Sequence, residues 1–205
     1  MKRLMIVALA VLCAAALVPQ NLAAGVGIKG GYSLAKFSWN STDVPTMQNL
    51  PASVAGVFFK LGLGPLAIQP EVLYIRMGAK YEDLGGKVET RVDYVQVPVL
   101  LKLSVIPLGP IRPVIYAGGY GAMRIKARMV MIVDGQVIDD ADVSDEYGKY
   151  DYGLVGGAGL DIKLPGIAIS IEGRYNYGLI NVDTTAVGAD YKKNRTLMGL
   201  IGIGF

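Results

Sequence analysis

Nine charged side chains fall in otherwise apolar, alternating stretches of the chain: Lys29, Lys60, Glu71, Lys102, Arg112, Asp161, Lys163, Glu172 and Arg174. Charges in such company must be paired or hydrated, because an isolated buried ion is opposed by its desolvation cost. Brought together and dry, they would form a salt-bridged plug. Brought together and wet, they would form an ion path or a site for an anionic solute, since six of the nine are basic. The pairing requirement favours the plug. Nucleophilic catalysis is a poor fit, because the 205-residue chain has no histidine and its one cysteine, Cys13, lies in an N-terminal apolar run. Without imidazole or thiolate, triad and dyad hydrolysis lacks its usual base, and transition-metal sites lose their favoured ligands. The sequence therefore predicts a non-enzymatic protein without a cofactor. Its net charge of +3 is too small to argue for nucleic acid.

Two other groupings invite chemistry and do not carry it. Asp134, Asp139, Asp140, Asp142, Asp145 and Glu146 are close enough in sequence to suggest Ca²⁺, but their spacing does not match an EF-hand loop. A solvated acidic loop is expected there. The glycine clusters "GGYGA" (118–122) and "GLVGGAG" (153–159) could pass for phosphate-binding loops, yet neither precedes a helical pattern. In strands such glycines instead permit bending and close approach of neighbouring side chains.

The elements that position these residues begin after a leader. Met1-Lys2-Arg3, an apolar run from Leu4 to Val18 and the small residues at Ala23-Ala24 follow the order of a secretory signal. A signal peptide over 1–24 and one mature domain over 25–205 are expected. Leu12 occupies the position before Cys13 where a lipoprotein signal needs a small residue, so the mature chain has no thiol and no disulfide. Hydrophobic residues make up 52% of the chain and charged ones 18%. The most apolar later stretch, 95–119, contains Pro98, Pro107, Pro110 and Pro113, which forbid a continuous helix. An apolar exported chain without spanning helices can enter a bilayer as a closed barrel, because lipid cannot satisfy an open sheet edge.

Period-two runs bounded by Gly, Pro, Asn and Asp predict eight strands, over 25–38, 52–63, 66–79, 91–105, 111–124, 149–163, 167–180 and 195–205. Each exceeds the ~9–11 residues that a tilted strand needs to cross the hydrocarbon. Connectors alternate between tight (64–65, 106–110, 164–166) and long (39–51, 80–90, 125–148, 181–194), the asymmetry of an eight-stranded antiparallel transmembrane β-barrel whose short turns face the periplasm. Glu71 begins the third strand and Lys102 ends the fourth, so both are expected inside near that periplasmic rim.

Alternation is clean in the seventh strand, where Ile167, Ile169, Ile171, Tyr175 and Tyr177 oppose Ser170, Glu172, Arg174 and Asn176. A soluble lipocalin-like barrel shares this period with the apolar face turned inward. Two features favour lipid outside. The charged face is sparse and glycine-rich, and Tyr150, Tyr152, Tyr175 and Tyr177 sit on the apolar face near the long loops, where an aromatic girdle belongs. The final strand ends "LMGLIGIGF" at Phe205, which looks like a terminal recognition signal for the machinery that inserts bacterial barrels.

The segments "GIKGGYSLAKF", "LAIQPEVLYIRMGAKY", "VDYVQVPVLLKL" and "LPGIAISIEGRYNYGLINV" resemble the PorT-like outer-membrane β-barrel family of Bacteroidetes, over essentially the whole mature chain. Gln69-Pro70-Glu71, the spacing of Tyr94 to Pro98 and the pair Arg174-Tyr175 carry the resemblance. It implies an outer-membrane barrel and, through the family's namesake, a link to protein secretion. The expected partners are outer-membrane lipid, the barrel-insertion machinery and an unidentified surface or secretion partner. The expected role is structural or loop-mediated interaction at the cell surface. Rival expectations are a narrow solute channel, an accessory barrel of a secretion system and a soluble periplasmic ligand-binding barrel.

Overall fold

The computed structural model describes residues 23–39, 48–83, 86–105, 109–133, 136–144, 148–181 and 192–205. Alternating side chains and frequent turn residues produce strands throughout: β1 (Ala23–Trp39), β2 (Gln48–Leu63), β3 (Leu66–Asp83), β4 (Gly86–Ser104), β5 (Ile111–Val133), β6 (Gln136–Asp142), β7 (Tyr150–Leu164), β8 (Ile167–Gly178) and β9 (Lys192–Gly204). Each pairs antiparallel with its neighbour in the order β4-β3-β2-β1-β9-β8-β7-β5, and β4 pairs with β5 to close the ring. Eight strands therefore form the barrel. Closure joins the ends of the chain, with Phe205 N–H donating to Val26 C=O at 2.8 Å and Val26 N–H to Phe205 C=O at 3.2 Å. The expected signal segment lies outside the described residues except for Ala23 and Ala24, which pair with Gly62 and Leu61.

β6 is the element that the sequence reading missed. It pairs with the far end of β5, Arg128 facing Asp142 and Val133 facing Gln136, so a hairpin occupies much of the expected 125–148 loop. β5 runs for 23 residues, about twice what the hydrocarbon requires, and its far half stays paired with β4 on one side and takes β6 on the other. Strand signals were weak there because β6 carries Asp139, Asp140 and Asp142, and every one of its residues is exposed. With no buried face, it shows no period.

The tight turns are set by glycine. In Leu63-Gly64-Pro65-Leu66 a φ of 67° at Gly64 precedes proline, the arrangement of a type II′ hairpin turn. In Leu164-Pro165-Gly166-Ile167 proline comes first and Gly166 takes φ 82°, as type II requires.

Which face points inward is settled by exposure. Val26, Ile28, Val57, Val99, Leu101, Leu154, Ile171, Leu197 and Ile201 all lie on the outside, roughly half exposed or more. Tyr150, Tyr152, Tyr175 and Tyr177 share that outer face, joined by Tyr32 and Tyr74. A water-soluble barrel would turn this apolar set inward; here it forms a band that only lipid can cover. The glycine clusters serve packing. A Cβ at Gly157 would stand 2.5 Å from the Tyr116 hydroxyl, and one at Gly153 would stand 2.5 Å from the Tyr120 ring. The rings fill space that those residues leave.

Candidate functional site: the charged lumen

Side chains on β1, β3, β4 and β8 meet inside the barrel because residues two apart on a strand share a face. Glu172 and Arg174 point inward from β8, Glu71 and Gln69 from β3, Lys29 from β1 and Lys102 from β4, all buried. Arg174 grips Glu71 with two parallel bonds, Nη1 to Oε2 at 2.6 Å and Nη2 to Oε1 at 3.0 Å, and reaches Glu172 Oε2 at 2.9 Å. Lys29 Nζ bridges the same carboxylates, 2.7 Å from Glu71 Oε1 and 3.0 Å from Glu172 Oε2. Lys102 Nζ donates to Glu172 Oε1 at 2.8 Å, and Gln69 Nε2 to Glu71 Oε1 at 2.7 Å. Three cations thus enclose two carboxylates, with the bidentate fork supplying the most geometrically specific contact. Aromatic faces complete the enclosure. Lys29 lies 5.2 Å from the Phe58 ring centroid, and Lys102 and Arg174 lie 5.3 and 5.4 Å from that of Tyr116.

The other predicted charges continue toward the short-turn end. Lys60 pairs with Asp161, and Lys102 lies 4.0 Å from the same carboxylate, which links this pair to the cluster. Arg112 faces Asp161 across the β5–β7 ladder and Lys163 follows two residues on, but neither makes an ion pair among the described residues. Seven of the nine residues are therefore joined. Glu71 and Lys102 are not partners, because Lys102 faces Ala67 across the β3–β4 ladder while Glu71 sits four residues deeper. Proximity of strand ends suggested a common level; the antiparallel register separates them.

Sequence reading did not single out a second polar layer nearer the long loops. There Asp151 accepts from Tyr120 Oη at 3.2 Å and Asn194 Nδ2 at 2.8 Å, and Asn176 Nδ2 donates to Gln96 Oε1 at 3.0 Å. Inward parity was the available signal, and uncharged amides made it quiet. Nor was the apolar filling anticipated. Leu73, Ile75, Met77, Val92, Leu100, Met198 and Leu200 point inward and are almost fully buried, so the lumen carries a hydrophobic core beside its ionic layer.

Asp139, Asp140 and Asp142 lie exposed on β6, with Asp140 bonded to Arg128 at 2.9 Å. Asp134, Asp145 and Glu146 lie outside the described residues. Among the described residues no three metal-ligating side chains come together.

The fold has solved counterparts. Neisserial surface protein A is 14% identical over 90% of this chain and 98% of that one, with a TM-score of 0.52. The attachment invasion locus protein Ail of Yersinia pestis is 15% identical over 88% of this chain and 98% of that one, with a TM-score of 0.46. No curated protein matches the sequence. Likeness at 14% identity speaks for the fold alone, and the fold is that of an outer-membrane barrel. The outer membrane protein beta-barrel domain matches residues 19–184, and the chain belongs to that family of the bacterial outer membrane.

Proposed function

We propose that the protein is a non-enzymatic outer-membrane barrel, closed to solutes, that presents the β5–β6 hairpin and its long loops outside the cell for interaction with a partner. The supporting observation is the buried ionic layer: Arg174, Glu71 and Lys29 have no exposed side-chain surface, and Glu172 scarcely any. An eight-stranded interior is just wide enough for side chains to fill, and here ions and hydrophobic groups fill it together. Interaction is then left to what projects. β6 offers Val137 and Ile138, about 60% exposed, beside three carboxylates. On this reading a signal over 1–24 exports the chain across the inner membrane, and the barrel-insertion machinery places it in the outer membrane. A PorT-like origin would make the external partner a component of protein secretion.

The topology is tested with a single reporter. The mature chain has no cysteine, so Ile138→Cys creates a unique thiol. A membrane-impermeant maleimide should label it in intact cells. Labelling only after lysis would contradict surface display. Co-purification with secretion components would identify the accessory-barrel role.

A further inference from the structure

The short-turn end of the lumen opens into a cavity of about 590 Å³. Lys60, Lys102, Arg112 and Lys163 line it, with Asp161 as the acid among them. Asp161 is already engaged by Lys60, and Lys102 is spent on Glu172. Arg112 faces Asp161 across the β5–β7 ladder without an ion pair, and Lys163 lies within electrostatic reach of the same carboxylate, so one acid serves Lys60, Arg112 and Lys163 and the mouth keeps an excess of positive charge. Lys163 stands within electrostatic reach of Arg112 and Lys60 as well. Arg112 Nε is buried and has no hydrogen-bond acceptor. Like charges gathered in a half-enclosed space, with a buried donor unused, favour a bound anion over an empty cavity. Phe58, Ala67 and Ala168 give the remaining wall an apolar character.

We infer that this periplasmic mouth is a binding site for a phosphate ester, with Arg112 and Lys163 as its ligands. Three cations, Lys60, Arg112 and Lys163, around the single carboxylate of Asp161 leave an excess of positive charge that suits a phosphate group near neutral pH, about −1.5 to −2 for a monoester. A planar guanidinium with a free Nε can bind two phosphate oxygens, while the lysine acts as a mobile point charge. The apolar wall accommodates the organic part of the ester. The phosphate arrives either on a water-soluble ester from the periplasm or on the headgroup of an inner-leaflet phospholipid, whose level this end of the barrel occupies. The site does not depend on closure of the lumen, so its binding test and a conductance test fail separately.

The experiment uses the folded barrel in neutral detergent. Glycerol 3-phosphate is titrated by calorimetry, with glycerol as the uncharged control, and phosphatidylglycerol retention is measured against phosphatidylcholine by native mass spectrometry. Saturable binding of either phosphate probe is expected, with the stronger arm naming the source. The double substitution Arg112→Gln with Lys163→Gln should weaken it by at least about tenfold, about 1.4 kcal/mol, because it removes both charge-assisted contacts. Heat-modifiable gel migration should persist in that variant, because neither residue holds the ionic layer. If the double variant does not assemble, the exposed Lys163→Gln alone should weaken binding. No saturable binding of either probe, or equal binding by an assembled variant, would overturn the assignment.

Discussion

Glu71 holds the ionic layer together, since it is the only carboxylate to which Arg174 is doubly bonded, and Lys29 shares it. Removing it leaves Lys29 and Arg174 with Glu172 alone, a carboxylate that Lys102 already shares. Breaking a buried pair by deleting one partner costs about 3–5 kcal/mol, mostly from the charge left behind. Glu71→Ala should therefore lower the temperature at which the barrel loses its folded gel mobility. A second substitution separates charge from packing. Adding Lys29→Met removes one stranded cation at similar volume and should recover part of the loss. A melting temperature unmoved by Glu71→Ala would mean that water already screens these charges and that the lumen is hydrated.

At the scale of elements, closure depends on β1 and β9, which share backbone hydrogen bonds up to Phe205. The Phe205 ring faces outward and is 70% exposed, so it contributes little to packing. Phe205→Ala keeps the backbone pair and removes only the ring. If the ring is an insertion signal, outer-membrane barrel yield should fall while export to the periplasm is unchanged; equal yield would assign the ring no such role. The eight barrel strands were legible because each is bounded by turn residues and several set an apolar face against a polar or glycine one, as in β8, where every second residue from Ile167 onward declares its side; β3, with Leu73, Ile75 and Met77 inside, was legible by its length and flanking turns alone. β6 was not legible because it buries neither face, so nothing constrains its period. The charged residues were legible singly, as polar intrusions on a face. Their partners were not, since pairing between β3, β4 and β8 depends on register and on the curvature that brings distant strands together across the lumen. Arg174 meets Glu71 at a separation of 103 residues, which no local pattern records.

The whole molecule is a barrel with three levels inside: an open basic mouth at the short turns, a buried ionic layer, and an apolar and amide-rich filling toward the long loops. The outer face matches a membrane by its continuous apolar band and its tyrosines. On the proposed reading the inner face leaves no hydrated route through the middle level, where Arg174, Glu71 and Lys29 have no exposed side-chain surface. Closure of the lumen is the central claim, and single-channel recording of the wild-type protein in a planar lipid bilayer tests it most directly. The account predicts no steady conductance after insertion. A stable, ohmic current through the folded barrel would contradict it.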